Sequence, residues 1–81
     1  MRTFQVMYYM EENDSIQLFS ICTEYNVRNK KQLINNIEAF MKELEHLPSH
    51  HLISYRVEEY KDGRLQTVDS LCSQFRSKIY S

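Results

Sequence analysis

Apolar and polar residues alternate along the start of the chain, over residues 2–10. Alternation of this kind is typical of a β-strand, because successive side chains point to opposite faces. The more apolar face of this segment would carry Phe4, Val6, Tyr8 and Met10. The polar residues 11–15 include turn formers and predict a hairpin turn. We therefore expect a first strand over residues 2–10 that buries its Phe4 face.

A second strand is predicted over residues 16–25, but its hydrophobic pattern changes part-way along. Ile16 and Leu18 would share one face, whereas Phe19 and Ile21 would share the other. A β-bulge near Phe19 would explain the change, because a bulge inserts one extra residue into one strand. The alternative is that both faces of this strand are covered.

Residues 29–48 have the period of an amphipathic helix, with signals for its start and its end. Asn29 is a favourable N-cap, and Gln32 follows three residues later, as in a capping box. Pro48 ends the segment, because the residue before a proline avoids the α region. We expect Phe40 at the centre of a single apolar stripe that consists of Leu33, Ile34, Ile37, Phe40, Met41 and Leu44.

Two further strands are predicted after this helix. Residues 52–60 form the third strand, with three apolar side chains on one face: Ile53, Tyr55 and Val57. Asp62 and Gly63 are a strong signal for a two-residue hairpin turn. A short fourth strand is therefore expected over residues 64–68.

The last apolar residues recur at helical spacing: Val68, Leu71, Cys72, Phe75 and Ile79. This spacing predicts a C-terminal helix over residues 69–80. The order of elements is then β-β-α-β-β-α. We expect one α+β domain over residues 1–81, with a small antiparallel sheet and its helices packed mainly on one face. The first strand is the most apolar and is expected in the interior of the sheet.

This architecture is similar to that of many small inhibitors made by phages and mobile elements. The features that carry the resemblance are the short chain of 81 residues, its single Gly and single Pro, and the β-β-α-β core. The resemblance concerns architecture alone and assigns no residue, because one fold hosts unrelated functions. It implies a protein that modulates a larger machine.

Charge and cysteine content exclude several protein classes. A net charge of −1 argues against a bulk polycation and against an acidic mimic of nucleic acid. Cys22 and Cys72 form no CxxC pair, and we expect two buried, reduced thiols. No segment approaches the ~20 apolar residues of a membrane span. Residues 1–4 lack the apolar run of a signal peptide, so we expect a cytoplasmic protein.

Motifs for catalysis or cofactor binding are lacking. The sequence has no nucleophile elbow, phosphate-binding loop or HExxH motif, so we expect neither an enzyme nor a cofactor. Three histidines, His46, His50 and His51, lie near Glu45 at the end of the predicted helix. Their spacing matches no closed zinc site, and we expect a solvated loop there rather than a metal centre.

Two groups of residues are candidates for binding a partner. Arg28, Lys30 and Lys31 cluster at the predicted helix start, where the macrodipole disfavours positive charge. Such a choice can mark a patch that binds an acidic protein surface or a phosphate. Met7 and Tyr9 lie on the sheet face away from the helix and favour a contact with a protein partner. The alternatives are ordinary surface charges and a C-terminal helix that covers the Met7–Tyr9 face.

Two function classes follow from these candidates. The first is a small non-enzymatic protein-binding module, either a homodimer or a modulator of a larger machine, with no small-molecule substrate. The second is a nucleic-acid-associated accessory protein. The placement of the basic residues discriminates between them, since convergence favours nucleic acid and scatter favours a protein partner. The residues concerned are Arg28, Lys30, Lys31, Lys61, Arg64, Arg76 and Lys78.

Overall fold

A computed structural model describes the protein over residues 1–12, 18–47 and 49–74. Over these ranges the chain forms five antiparallel strands, one α-helix and one 3-10 turn. In chain order the elements are β1 (Arg2–Glu12), β2 (Leu18–Val27), α1 (Lys30–Leu44), β3 (His50–Lys61), β4 (Arg64–Thr67), the 3-10 turn (Asp69–Leu71) and β5 (Ser73–Gln74). The α+β class is confirmed.

Strand β1 lies in the interior of the sheet, as its apolar sequence predicts. The strand order is β2-β1-β3-β4, and β5 pairs with β3 beside β4. Strand β1 is hydrogen-bonded to β2 on one side and to β3 on the other. Strand β2 therefore forms one edge of the sheet, and β4 and β5 together form the other.

The core lies between one face of the sheet and α1. Every second residue of β1 is fully buried on this side: Phe4, Val6, Tyr8 and Met10. Leu33, Ile37 and Leu44 are the buried positions of α1 that pack on them. Phe40 is only half-buried, although its ring centroid lies 4.7 Å from that of Tyr8. The periodicities thus predicted most of the buried positions, but Ile34 is 38% exposed and the most buried residue of the helix is Leu33 rather than Phe40.

The start of α1 confirms Asn29 as the N-cap, whereas Gln32 reaches one residue further back than in a capping box. The Asn29 side-chain oxygen accepts a hydrogen bond from the Gln32 backbone N–H at 2.9 Å. The Gln32 side-chain oxygen in turn accepts one from the Arg28 N–H at 2.9 Å. The helix ends at Leu44, several residues before Pro48, which lies outside the described residues. None of the helices in the described ranges is long and apolar enough to cross a membrane.

The change of pattern in β2 has neither of its predicted causes. The pairing of β2 with β1 runs without a register shift through Phe19. Leu18 and Phe19 are both exposed, by 59% and 37%, so the two faces are not covered there. Phe19 instead packs edge-on against the His50 ring, with 5.1 Å between the ring centroids. Ile16 lies outside the described residues.

A β-bulge does occur, but in β3. The register between β1 and β3 shifts between Tyr9, opposite Ser54, and Met10, opposite Leu52. Leu52, rather than Ile53, therefore lies opposite Met10 and packs against the core. The predicted apolar set of Ile53, Tyr55 and Val57 did not include Leu52, because strict alternation along a strand gives no signal for an extra residue. Ile53 is itself buried, with 7% exposure.

The hairpin between β3 and β4 forms where Asp62 and Gly63 predict it. Both residues have positive φ angles, 53° at Asp62 and 75° at Gly63. A two-residue turn with this conformation matches the twist of the flanking strands. The pairing of Lys61 with Arg64 closes the hairpin directly beside the turn.

The predicted C-terminal helix over residues 69–80 is wrong within the described range. Asp69–Leu71 is a single 3-10 turn, and Ser73–Gln74 is strand β5. Strand β4 covers β3 only from Glu58 to Lys61, which leaves backbone groups of β3 to be satisfied. The chain satisfies them by extending along the same edge rather than by forming a helix. Phe75 and Ile79 lie outside the described residues.

Candidate functional site

Basic side chains gather at one end of the sheet. The pairing of Arg2 with Val27 brings the start of β1 beside the end of β2, and α1 begins just after it. The pairing of Thr3 with Tyr60 brings the end of β3 to the same place. Six basic residues lie at this end of the fold, which we term the cationic end: Arg2, Arg28, Lys30, Lys31, Lys61 and Arg64.

Arg2 is the one member of the cationic end with a firm acidic partner. Its guanidinium donates to the two carboxylate oxygens of Glu59 at 2.7 and 2.8 Å. It also lies 5.1 Å above the centroid of the Phe4 ring. Among the ion pairs of the described residues, none involves the other five cations. Those five are all exposed to solvent.

The pKa of Glu59 is affected by three of these cations. The hydrogen bonds from Arg2 lower the pKa of Glu59, and burial acts in the opposite direction. The charges of Arg2, Lys61 and Lys30 lower this pKa further. Lys30 begins the helix and Lys61 ends β3, so both elements place a charge within reach of one carboxylate.

The pH dependence of stability should change when Glu59 is neutralised. Because its folded-state pKa lies below the ordinary value of 4.5, Glu59 stabilises the fold above that value. This contribution is lost as the pH falls through the folded-state pKa. Urea midpoints measured from about pH 7 to about pH 3 should therefore fall less steeply for Glu59→Gln than for the wild type. The matched control is Glu24→Gln, an exposed carboxylate on β2. Equal slopes for wild type and Glu59→Gln would contradict this account.

Acidic residues gather at the opposite end of the fold, which we term the acidic end: Glu11, Glu12, Glu43 and Glu45. The end of β1, the end of α1 and the start of β3 meet there. His50 Nε2 lies 3.5 Å from a carboxylate oxygen of Glu12, and His51 Nε2 lies 3.5 Å from one of Glu11. The molecule is therefore polarised along its long axis, which extends over 41 Å.

His50 and His51 are the first two residues of β3 at the acidic end. Adjacent residues of β3 point to opposite faces, so His50 and His51 lie on different sides of the sheet. Within the described residues, no group of three or more His, Cys, Asp or Glu side chains is arranged to hold a metal ion. An open cavity of about 370 Å³ lies on the helix side and is lined by Met41, Leu44, Glu45, His50, His51 and Leu52. Its mixed apolar and polar lining suggests no specific ligand.

Met7 and Tyr9 lie on the sheet face away from α1, which we term the open face. Met7 pairs with Cys22 and Arg56, and Tyr9 pairs with Ser20 and Ser54. Both side chains are half-buried. The strands on both sides of β1 contribute polar residues to this face, among them Ser20, Ser54 and Arg56. Among the described elements outside the sheet, both α1 and the 3-10 turn pack on the other side.

The candidate residues thus fall into two separate surfaces. Arg28, Lys30 and Lys31 belong to the cationic end, whereas Met7 and Tyr9 occupy the middle of the open face. Two further exposed side chains join the surfaces, Tyr60 and Leu65, which lie on the open face next to the cationic end. Arg76 and Lys78 lie outside the described residues.

Sequence reasoning missed Arg2 and Tyr60 as members of these surfaces. Both are brought into place by the long-range pairing of β1 with β3. The hydrophobic pattern carries no signal for that pairing. Arg2 is visible in the sequence as the first residue of β1, but its place at the cationic end follows only when the strand order is known.

The two cysteines differ from expectation in their burial. Both are free thiols, but Cys22 is exposed on the open face, whereas Cys72 is half-buried. Cys22 belongs to an edge strand, which explains its exposure. The prediction of a buried thiol is therefore wrong for Cys22.

No family model, no curated protein and no solved structure matches this chain. The function is therefore argued from the residues of the chain itself.

Proposed function

We propose that this protein is a small non-enzymatic accessory protein that binds nucleic acid through its cationic end. One observation carries the proposal. Five of the basic residues that discriminate between the two function classes lie at one end of the fold: Arg28, Lys30, Lys31, Lys61 and Arg64. They come from α1, β3, β4 and the segment before the helix, so the fold itself brings them together.

The charge distribution suits a phosphate backbone. Each Lys or Arg that contacts a phosphate releases condensed counterions, which supplies sequence-independent affinity. Among the described residues, two acidic side chains lie directly beside these cations: Glu59, which is engaged by Arg2, and Asp62 in the hairpin turn. Repulsion at the acidic end disfavours a side-on contact with a polyanion. The protein would therefore dock end-on, with a small footprint.

An exposed aromatic side chain lies at the border of the cationic end, on the open face rather than on the side of Lys61 and Arg64. Tyr60 is 54% exposed and lies next to Lys61 in β3. Proteins that bind single strands combine a basic surface with aromatic rings on which bases stack. Tyr60 supplies such a ring at the border of the cationic end and the open face. This feature favours single-stranded over double-stranded nucleic acid.

The proposal predicts salt-sensitive binding of the wild-type protein. Titration of a fluorescently labelled DNA oligonucleotide, followed by anisotropy, should show binding at about 50 mM salt and much weaker binding at about 200 mM. With four or five phosphate contacts, the slope of log K against log salt should be about −3.6 to −4.5 for a duplex. A single strand of equal length should bind more tightly if Tyr60 stacks on bases. Absence of binding at low salt to both DNA forms would refute the proposal.

A protein partner on the open face is the second candidate function. The observation that favours it is the half-buried pair Met7 and Tyr9, over which no described element outside the sheet packs. A partner captured by the wild type, lost on Tyr9→Asp and retained on Lys30→Glu/Lys31→Glu would identify this surface. The reverse pattern would identify the cationic end.

A further inference from the structure

Strand β2 leaves one edge of the sheet open to pairing. In the described part of the chain, β1 is the only strand that pairs with β2. The strand is ten residues long and is exposed along most of its length. The outer edge of such a strand presents unpaired N–H and C=O groups to solvent, which template the addition of another strand.

The protections that natural edge strands carry are lacking in β2. Its residues include no Lys, Arg or Pro, and Glu24 is its only charged side chain. Its register with β1 is continuous, so no bulge distorts it. Edge strands usually avoid association by being short, lysine-bearing, proline-bearing or bulged. Strand β2 is long and regular instead.

The opposite edge of the sheet consists of two short strands rather than one long one. Strands β4 and β5 pair with two separate stretches of β3. Between them, the Val57 carbonyl accepts a hydrogen bond from the Val68 N–H at 2.9 Å. The Val57 N–H donates to the Cys72 sulfur at 3.4 Å. The contrast between the two edges singles out β2 as a surface for association.

We propose that β2 pairs antiparallel with β2 of a second copy of this chain, which makes one continuous sheet across a two-fold axis. Strand β2 runs from the acidic end to the cationic end. Antiparallel pairing therefore places the cationic end of each copy beside the acidic end of the other. Parallel pairing would place like charges side by side. This proposal does not depend on nucleic-acid binding.

Symmetry and charge select the register of the pairing. Opposed residues of an antiparallel pair share a face, so under this two-fold axis one residue lies opposite its own copy. If Glu24 lay on the two-fold axis, the two Glu24 carboxylates would be directly opposed. If Thr23 lay on the axis, the two Glu24 side chains would be diagonal neighbours, about 7–8 Å apart. If Cys22 lies on the axis, Glu24 of each copy is opposite Ser20 of the other. In this register every residue of the range 18–26 has a partner in the second copy.

The selected register makes Cys22 a reporter of the contact. Cys22 is a free, exposed thiol and would lie directly opposite its copy. Opposed Cβ atoms in an antiparallel pair are about 4.5–5.5 Å apart. A disulfide needs about 3.5–4.5 Å, which small shifts of the strands reach. Cys72 lies at the far edge of the sheet, beside Val57, and would not meet its copy.

Sedimentation velocity of the full chain without nucleic acid tests the association. The wild type should sediment as a dimer, with about twice the chain mass of 9.8 kDa, and Cys22→Ser should remain a dimer. Diamide, which accepts the two electrons and two protons of a pair of thiols, should cross-link Cys72→Ser into a covalent dimer. It should leave Cys22→Ser unlinked. A monomer at high protein concentration would overturn the proposal.

Lysine substitutions separate edge pairing from other contacts. Cys22→Lys opposes two like charges and should raise the dimer dissociation constant several-fold. Its matched control, Asn26→Lys, places the same charge on the same exposed face, opposite Leu18 of the second copy. This control should raise the dimer dissociation constant less. Tyr9→Asp should leave the dimer intact. A dimer that Tyr9→Asp abolishes and Cys22→Lys does not would place the contact on the open face and overturn pairing through β2.

Discussion

Tyr8→Ala should lower the free energy of unfolding by about 3–5 kcal/mol, as truncation of large buried aromatic side chains does. Tyr8 is fully buried at the centre of β1, with its ring beside those of Phe40 and Tyr55. Its hydroxyl and that of Tyr25 are hydrogen-bonded at 2.9 Å, and burial raises its pKa. Small domains have a total stability of about 5–15 kcal/mol. Urea denaturation followed by circular dichroism should therefore show a greatly lowered midpoint.

Tyr9→Ala is the matched control for this substitution. Tyr9 is the next residue of the same strand, but it lies half-buried on the open face. Its truncation should cost clearly less than that of Tyr8. Tyr8→Phe, which removes only the hydroxyl, should cost about 1 kcal/mol and keep the protein folded for comparison. Equal costs for Tyr8→Ala and Tyr9→Ala would show that the assignment of the sheet faces is wrong.

Lys30→Glu/Lys31→Glu should weaken binding to DNA by more than tenfold at low salt. The substitutions remove two of the five solvent-exposed cations described at the cationic end and add two negative charges. Each lost phosphate contact lowers the affinity, because fewer counterions are released on binding. Anisotropy titrations of the variant and the wild type at the same salt concentration measure the change directly.

The fold should tolerate this charge reversal. The first turn of α1 contains no acidic residue, and Glu at these positions interacts favourably with the helix macrodipole. Lys42→Glu is the matched control, since it reverses a Lys in the last turn of the same helix, away from the cationic end. It should leave DNA binding nearly unchanged. An equal loss of binding in both variants would show that net charge, rather than the cationic end, controls the interaction.

The parts of the fold that the sequence predicted are those fixed by local rules. The alternation in β1 predicted its buried face, and Asn29 and Gln32 predicted the start of α1. Asp62 and Gly63 predicted the hairpin turn because few residues tolerate positive φ. Each of these signals acts over a few residues.

The features that sequence reasoning missed depend on contacts between distant segments. Over residues 69–74 the predicted C-terminal helix was wrong because β3 needs backbone partners beyond β4, and that need outweighs helical spacing after Val68. The bulge at Ile53 adjusts β3 to β1 and has no local signal. Tertiary context of this kind routinely overrides intrinsic propensity.

The candidate site could be predicted only in part for the same reason. Arg28, Lys30 and Lys31 are neighbours in the sequence, so their cluster was visible. Lys61 and Arg64 join them only because the pairing of β1 with β3 brings the β3–β4 hairpin to the same end. Met7 and Tyr9 were visible as neighbours on one face of β1, but the polar residues that flank them on β2 and β3 follow only from the strand pairing.

The salt dependence of DNA binding, compared between the wild type and Lys30→Glu/Lys31→Glu, tests the central claim most directly. If the cationic end contacts the phosphates, the plot of log K against log salt should be steep for the wild type. For the variant the magnitude of the slope should decrease by about 2, since each Lys contact contributes about 0.9 to it. Parallel plots with the same slope for both proteins would contradict the claim that the cationic end binds nucleic acid.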